Sequence, residues 1–264
     1  MINDKAIDTD IDPYLVQGTS MVPLNVVQQI PGISLQWNNM NKQVTMVRKG
    51  ITIKLVAGQK TAVIGTKVVL LPEVPRIFMG RVVVPLRFIA ELAEAYVIWN
   101  ANTRSIYIAK ASEELMGKIA SPNLWEARTA ALNFPRVSTL KSIKILNETQ
   151  NQNYYFPEGI SNQFFIQGGP GISYFKVAGN HVEEIWTAKL DNVDKAKNGL
   201  PFLPYKIIDQ DGAMPSIKGR VAFYHLMLPI MEATYGFIDE NSASTTLGQQ
   251  DMELNKVFEI PGEQ

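Results

Sequence analysis

The chain has 264 residues, is 46% hydrophobic and carries 25 basic and 25 acidic side chains, so its formal net charge is zero. This composition can build a packed core and excludes a disordered protein. The lack of net positive charge argues against nucleic acid as the main partner. The chain has no cysteine and two histidines, which excludes disulfides, thiolate metal sites and catalysis by a histidine cluster.

The N-terminal stretch MINDKAIDTDIDPY is polar and acidic, and no apolar run in the chain reaches the roughly 18–20 residues of a membrane-spanning helix. The sequence as it stands therefore predicts no signal peptide and no transmembrane segment. A composition without cysteine is compatible with a cytosolic protein, and equally with a bacterial surface protein whose signal peptide has been removed.

A repeat with an offset of 62 residues relates segment 18–47 to segment 80–109. Six of its 30 aligned pairs are identical, where about two are expected by chance from average residue usage. Seven further pairs keep their chemical class. We interpret the match as an internal repeat. The identical pairs are Gly18/Gly80, Val22/Val84, Pro23/Pro85, Leu24/Leu86, Trp37/Trp99 and Asn38/Asn100.

Each copy is predicted to form a strand, a short helix and a β-hairpin. The strands end at Pro23 and Pro85, because proline cannot donate to a strand ladder but is tolerated in the first turn of a helix. Apolar residues at helical spacing follow each proline, and an asparagine-rich turn then joins two strands. The segment between the copies, 50–80, alternates like a β-meander. An antiparallel sheet with one or two short helices is therefore expected over residues 12–110.

The second copy carries a family resemblance. GRVVVPLRFIAELAEAYVIWNANTRSIYI (80–108), with the preceding IKLVAGQKTAVIGTKVVLL, resembles the copper amine oxidase N-terminal domain family, also called the stalk domain. The resemblance covers residues 12–110 and departs from the family pattern at AEAY (93–96), where a glycine is usual. It implies a five-stranded antiparallel sheet curled around a helix. It also implies a secreted or surface protein of Gram-positive bacteria, in which such units are fused to other modules.

Amine oxidase activity is not expected from this resemblance. The full oxidases need three histidine ligands for copper and a tyrosine within an Asn-Tyr-Asp/Glu motif. This chain has two histidines, and Tyr155 follows Asn153-Tyr154 where the acid would stand. The segment NQNYYFPEG (151–159) is interpreted instead as an aromatic β-strand.

The C-terminal part matches no family that we recognise. Residues 111–141 are predicted as a helical linker whose second helix begins at Asn123 or Ser121 and ends at Pro135. Alternating stretches separated by turns predict a β-rich domain over 142–264. The apolar stretch 218–237 is predicted as a kinked core helix or as two shorter elements. The predicted fold class is α+β: a stalk-like sheet curled around short helices, followed by a second β-rich α+β domain.

Four residues are candidates for ligand binding. Trp37 and Trp99 occupy matched positions beside turns, where core packing is favoured and stacking on a sugar is the alternative. His181 is interpreted as a turn residue that, with Glu183 and Glu184, has metal binding as its alternative.

The other titratable residues considered are a histidine assigned to the core and four carboxylates assigned to a candidate hydrolase site. His225 lies in an apolar stretch without a nearby acid and is predicted to be a hydrogen-bonded core residue. Glu183 or Glu184, paired with Asp209 or Asp211, would be the carboxylates of a hydrolase.

These observations predict a non-catalytic, secreted or cell-surface bacterial protein that acts as a stalk-type spacer or interaction module. No catalytic residue, cofactor or metal is assigned. The expected partner is the cell wall or another protein, without nucleic acid, and a homodimer is left open. The alternatives are a cell-wall glycan-binding protein and a hydrolase with a carboxylate site in the C-terminal domain.

Overall fold

The computed structural model describes residues 1–143 and 151–263, with the backbone alone described for residues 192–195. Two compact units are present. The first comprises Met1–Ile98 and Ile106–Ser112, and the second comprises Trp99–Ser105 and Glu113–Gln264.

The chain up to residue 112 is mostly β, with two short helices. Its strands are β1 (Tyr14–Val16), β2 (Thr19–Pro23), β3 (Ser34–Asn38), β4 (Gln43–Arg48), β5 (Ile51–Val56), β6 (Thr61–Ile64), β7 (Lys67–Leu70), β8 (Arg76–Phe78), β9 (Arg81–Pro85), β10 (Tyr96–Asn100) and β11 (Ser105–Ala109), and its helices are α1 (Leu24–Val27) and α2 (Leu86–Leu92).

The remaining elements follow residue 112. They are α3 (Glu113–Lys118), α4 (Leu124–Leu132), β12 (Arg136–Val137), β13 (Asn151–Pro157), β14 (Gln163–Gly168), β15 (Gly171–Ala178), β16 (His181–Lys195), β17 (Tyr205–Gly212), β18 (Val221–Met227), β19 (Glu232–Ile238) and β20 (Ser244–Asp251).

The four-stranded sheet of the first unit, ordered β1-β2-β9-β8, has a symmetric register. Val22 pairs with Val84, and Met21 pairs with Pro85 just as Pro23 pairs with Val83. The outer strands obey the same rule, since the pairs in β1–β2 recur in β8–β9 with every residue number raised by 62. Elements β2, α1, β3 and β4 therefore begin 62 residues before β9, α2, β10 and β11.

Two short helices contribute to the core of this unit. Each helix begins directly after its proline, Pro23 or Pro85, where a missing N–H costs the helix nothing. Both helices turn valine, leucine and isoleucine side chains into one aliphatic cluster, which the five-stranded sheet β3-β4-β5-β6-β7 completes. The sheet β1-β2-β9-β8 is strongly curled. Although β1 and β8 are its two edge strands, the ring of Tyr14 on β1 lies only 5.3 Å from that of Phe78 on β8.

The two hairpins differ in what lies beside them. Strand β4 pairs with β5, which continues into β6 and β7. Strand β11 has β10 on one side, and on the other the N-terminal residues Ile2 and Asn3, which bridge to Ile108. Among the residues that the structure describes, the second hairpin thus has no sheet comparable with the five-stranded one.

The second unit contains a nine-stranded sheet. Its order is β12-β16-β15-β14-β13-β18-β19-β20, and β17 also pairs with the long strand β16. On one face a row of aromatic residues crosses five strands in register, and the side chains of Leu200, Phe202 and Leu203 pack on it. The row is Phe223, Tyr155, Phe165, Tyr174 and Trp186.

Helix α4 covers the other face of that sheet. Its buried residue Arg128 stacks on the ring of Phe156, with 4.7 Å between the guanidinium carbon and the ring centroid. The guanidinium also donates to the carboxylate of Glu263 and to the carbonyl oxygen of Ile160, the latter at 2.9 Å. Both members of the buried pair are thereby hydrogen-bonded, which a buried ion pair requires.

Most predicted elements are confirmed. The order strand, short helix, hairpin is present in both copies. The two helices predicted within 111–141 are α3 and α4. The beginning of the β-rich domain predicted over 142–264 falls mostly outside the described residues, which resume at 151.

Of the two alternatives predicted for the stretch 218–237, the kinked helix is wrong. The apolar stretch 218–237 is not a kinked helix but two paired strands, β18 and β19. The side chains of β18 are buried on both faces of the sheet, Phe223 on the face of the aromatic row and Tyr224 and Leu226 on the other. A strand buried on both faces reads as a continuous apolar run and loses its alternation.

Candidate functional site

The matched tryptophans lie in different environments. Trp37 is half-buried and packs against the aliphatic cluster of the first unit. Trp99 is 55% exposed, so the expectation of core packing is wrong for this residue. The first hairpin is extended by β5, β6 and β7, whereas the second has only two strands and offers less surface to cover its tryptophan.

The asparagines that follow the tryptophans make the same turn. Asn38 Oδ1 accepts the backbone N–H of Met40 at 2.9 Å, and Asn100 Oδ1 accepts that of Asn102 at 2.8 Å. Asn100 is fully buried, and its Nδ2 also donates to the carbonyl oxygens of residues 138 and 140. The side chain of asparagine can imitate a backbone turn in this way, which explains why both copies carry it.

His181 and Glu183 are brought together at the start of β16. His181 Nε2 lies 3.2 Å from Glu183 Oε1, and the imidazole is 7% exposed. Burial lowers the pKa of His181, an effect that the neighbouring carboxylate opposes. His181 is therefore a buried strand residue and not the turn residue predicted. In the described ranges, no group of three or more histidine and carboxylate side chains is close enough to hold a metal ion.

The carboxylates on β17 hold a neighbouring segment. Lys141 Nζ donates to Asp209 Oδ1 at 2.6 Å, and the backbone N–H of Lys141 donates to Asp211 Oδ2 at 2.7 Å. The hydrogen bond from Lys141 lowers the pKa of Asp209. No local pattern indicates this role, because Lys141 and Asp211 are 70 residues apart along the chain.

The distance between the proposed carboxylate pairs follows from the register. Asp209 pairs with Lys189 and Asp211 with Thr187. Glu183 is six residues from Lys189 along β16, or about 20 Å at the rise of a strand. Glu184 is three residues from Thr187, or about 10 Å. Glycosidase carboxylates lie about 5–9.5 Å apart, so the pair Glu183 and Asp209 lies far outside that spacing.

His225 is enclosed by aromatic rings. Its ring centroid lies 4.5 Å from that of Phe223 and 5.5 Å from that of Tyr155. Its Nε2 is buried and has no hydrogen-bond partner among the described residues, so the prediction of a hydrogen-bonded histidine is wrong for this atom. Burial lowers the pKa of His225 to about 4, which keeps the ring neutral at physiological pH.

A cavity of about 600 Å³ lies in the second unit, and sequence reasoning missed it. Its wall is a loop closed by Asn198, whose Nδ2 donates to the carbonyl oxygens of Leu203 and Tyr205 at 2.8 Å. Lys197 and Glu240 contribute opposite charges to the lining. The only signal in the sequence is the pair of prolines in GLPFLPYK (199–206), which by itself indicates a loop and no more.

Comparison with known families locates the resemblance. Residues 1–108 match the model of the copper amine oxidase N-terminal domain. The prediction of this family for residues 12–110 is confirmed, with the match reaching back to the first residue. No family matches the rest of the chain. A search of curated proteins found no match.

Among the described residues, no helix has the length and apolar character needed to cross a membrane. The longest, α4, has nine residues.

Proposed function

We propose that this protein is a non-catalytic interaction protein of the bacterial cell surface, in which the first unit serves as a stalk-type spacer. The main support is the match of residues 1–108 to the copper amine oxidase N-terminal domain, since the resemblance implies a surface module of Gram-positive bacteria. Such a location requires a signal peptide, which would precede residue 1 in the precursor. The cell wall or a surface protein is the proposed partner.

The contacts of the candidate acids support a non-catalytic role. Asp209 and Asp211 are bound to Lys141, and Glu183 is bound to His181. Carboxylates held in this way tie strands and segments together. A hydrolase of the paired-carboxylate type would need the two groups within about 5–9.5 Å of each other, whereas the register spaces Glu183 and Asp209 about 20 Å apart.

We also propose that the first unit arose by duplication of one strand–helix–hairpin segment. Two observations support it: matched elements begin 62 residues apart, and Val22 pairs with its counterpart Val84 at the centre of the sheet. The left-handed turn residues repeat too, since Gln17 and Met79 have φ of 48° and 46°, and Lys42 and Arg104 have 53° and 52°.

The experiment is a broad screen of hydrolytic and oxidative substrates with the purified chain. We expect no turnover above that of the buffer. Turnover that disappears in Asp209→Asn or Glu183→Gln, with the folded state retained by circular dichroism, would contradict the proposal. Asp239→Asn, which removes a carboxylate that only closes the β19–β20 turn, is the matched control.

A second candidate, binding of cell-wall glycan, is favoured by one observation: the 55% exposure of Trp99. An exposed tryptophan ring can stack on the apolar face of a sugar. The test is co-sedimentation with purified peptidoglycan. Trp99→Ala should reduce binding at least five-fold, whereas Trp125→Ala, which removes another partly exposed tryptophan, should leave it unchanged. Equal binding by both variants would exclude Trp99 as the contact.

A further inference from the structure

The cavity of the second unit lies between two connections of the nine-stranded sheet. One wall is the loop 196–204, between β16 and β17, and the other is the turn 240–242, between β19 and β20. Its volume of about 600 Å³ is within the range of about 300–1,000 Å³ that small-ligand sites occupy. A sphere of that volume is about 10 Å across, the length of about three residues of extended chain. The cavity is therefore large enough for a molecule the size of a tripeptide.

The loop 196–204 is held in place by contacts within the unit. The ring of Phe202 packs into the aromatic row, where its centroid lies 4.4 Å from that of Tyr155. The backbone N–H of Ala196 donates to the carbonyl oxygen of Pro204 at 3.1 Å and closes the base of the loop. A wall that is already ordered loses little conformational entropy when a ligand binds.

The turn that forms the opposite wall is also constrained. Asp239 Oδ1 accepts the backbone N–H groups of Asn241 at 2.9 Å and of Ala243 at 2.8 Å. The side chains of Asn241 and Ser242 are exposed and line the cavity. An amide and a hydroxyl group are thus available to donate to an occupant and to accept from it.

The lining of the cavity combines apolar surface with two opposite charges. Pro201, Pro204 and Ile217 line it and keep part of their surface accessible. Lys197 and Glu240 are exposed, and neither forms an ion pair with another residue of the described ranges. A molecule that carries both an anionic and a cationic group can satisfy the two charges together.

A short peptide matches this combination of groups. Its carboxylate complements Lys197, its ammonium group complements Glu240, and aliphatic side chains can pack on the two prolines and Ile217. Other classes of ligand fit less well. Sugars are commonly bound by stacking on aromatic rings, and none of the described residues that line the cavity is aromatic. A phosphate group would be repelled by Glu240.

We propose that this cavity binds short zwitterionic peptides with aliphatic side chains, and that Lys197 binds the carboxylate and Glu240 the ammonium group. The inference goes beyond the proposed function, because it assigns a class of ligand to the second unit, whereas the spacer role concerns the first. Each of the two contacts is a solvent-exposed ion pair and contributes modestly by itself. Recognition therefore depends on a ligand that carries both charges.

The test uses one tripeptide in four forms. Ala-Leu-Ala is prepared with free termini, with an acetylated N-terminus, with an amidated C-terminus and with both modifications, so that each charge is removed singly and then together. Binding to the full chain is followed by NMR titration to about 10 mM peptide, which detects dissociation constants near 1 mM.

Two variants of the protein remove one charge each from the cavity, Lys197→Met and Glu240→Gln. The matched controls are Lys206→Met and Glu232→Gln, which make the same changes at residues that do not line it. Circular dichroism first verifies that all variants are folded.

The free tripeptide should bind most tightly, and the doubly modified form about ten-fold more weakly or worse, as expected for the loss of two exposed ion pairs. Lys197→Met should weaken binding of the free tripeptide about three- to five-fold and abolish the preference for the carboxylate over the amide. Glu240→Gln should have the same effect on the preference for the ammonium group over the acetyl group. The two controls should bind all four forms as the natural sequence does.

A further variant tests the position of the site without changing its charge. Asn241→Trp places a large ring in the lining of the cavity and keeps Asp239, which closes the turn, so it should abolish binding. Four results would overturn the inference: no binding of the free tripeptide by the natural sequence, equal binding of its four forms, equal weakening in cavity variants and controls, or undiminished binding by Asn241→Trp.

The two proposals fail in different ways. A chain that turns over no substrate and sediments with cell walls, yet does not bind the tripeptide, contradicts only the inference about the cavity. A chain with carboxylate-dependent turnover contradicts the proposed function whatever its behaviour toward peptides.

Discussion

The cores of the two units of this chain are built from different kinds of side chain. The buried cluster of the first unit consists of isoleucine, valine, leucine, methionine and alanine. The aromatic-row cluster of the second unit contains six aromatic residues, among them Trp186, which donates to Gln210 at 3.0 Å. Aliphatic side chains need no hydrogen-bond partner, whereas buried tyrosine and tryptophan do.

The buried titratable groups are also distributed unequally between the two units. Arg128, His181 and His225 are all in the second unit, while Glu73 is the buried acid of the first. A buried charge or imidazole stabilises a fold only while its partner or its protonation state is kept. The second unit should therefore be the more sensitive to polar substitution and to acid.

The largest effect is expected from the buried ion pair of the second unit. Arg128→Met leaves the carboxylate of Glu263, which is 6% exposed, without its partner. Breaking a buried pair on one side costs about 3–5 kcal/mol. The free energy of unfolding of the second unit should fall by this amount in urea titrations, and that of the first should not change.

A surface pair provides the control for this loss. Arg220 contacts Glu158, and its side chain is 45% exposed. Arg220→Met should cost no more than about 1 kcal/mol. Similar losses in the two variants would mean that burial does not distinguish the pairs, and the contrast between the units would lose its main support.

The next effect is a loss of stability in mild acid through His225. Its folded pKa is about 4 against an ordinary value of 6.5. The unfolded chain therefore binds a proton between these values that the native state does not, and stability rises with pH across this window. As pH falls from 7 to 4, the second unit should lose about 3 kcal/mol at 1.36 kcal/mol for each unit of pKa difference.

Two variants isolate this contribution. His225→Leu should flatten the dependence of the unfolding free energy on pH between 7 and 5, where the lowered carboxylate pKa values of Glu94 and Asp209 do not yet contribute. His181→Asn should leave most of the slope, because Glu183 opposes the effect of burial on the pKa of His181. An unchanged slope in His225→Leu would contradict the assignment.

Sequence patterns predicted the first unit well because its determinants are local. Proline after a run of valines sets the change from strand to helix, and asparagine sets the turn that follows tryptophan. The order of elements and the family could be read from these residues alone. The pairing of β2 with β9 could not, because two segments 62 residues apart carry no local mark of their register.

Prediction was weaker in the second unit for a physical reason. Strand β18 is buried on both faces and lost the alternation that identifies a strand. Lys141 meets Asp209 and Asp211 only through the long β16–β17 pairing. The basic character of segment 31–90 was hidden in another way, since the whole-chain count of charges averages it with an acidic C-terminal segment.

The smallest expected effect distinguishes the two matched tryptophans. Trp37→Ala removes a half-buried ring from the aliphatic cluster. It should lower the free energy of unfolding by about 2 kcal/mol, less than the roughly 3–5 kcal/mol lost when a fully buried aromatic residue is replaced by alanine. Trp99→Ala removes a ring that is 55% exposed and should cost under about 1 kcal/mol. Urea unfolding followed by circular dichroism measures both without relying on tryptophan fluorescence.

Conservative variants show whether the difference comes from burial. Trp37→Phe should recover about half of the loss, because an aromatic ring still fills the position, whereas Trp99→Phe should be indistinguishable from Trp99→Ala. Equal losses at the two positions would mean that the second hairpin is covered in solution as fully as the first. In that case the ring of Trp99 would not be available for stacking on a sugar, and the glycan-binding proposal would be contradicted.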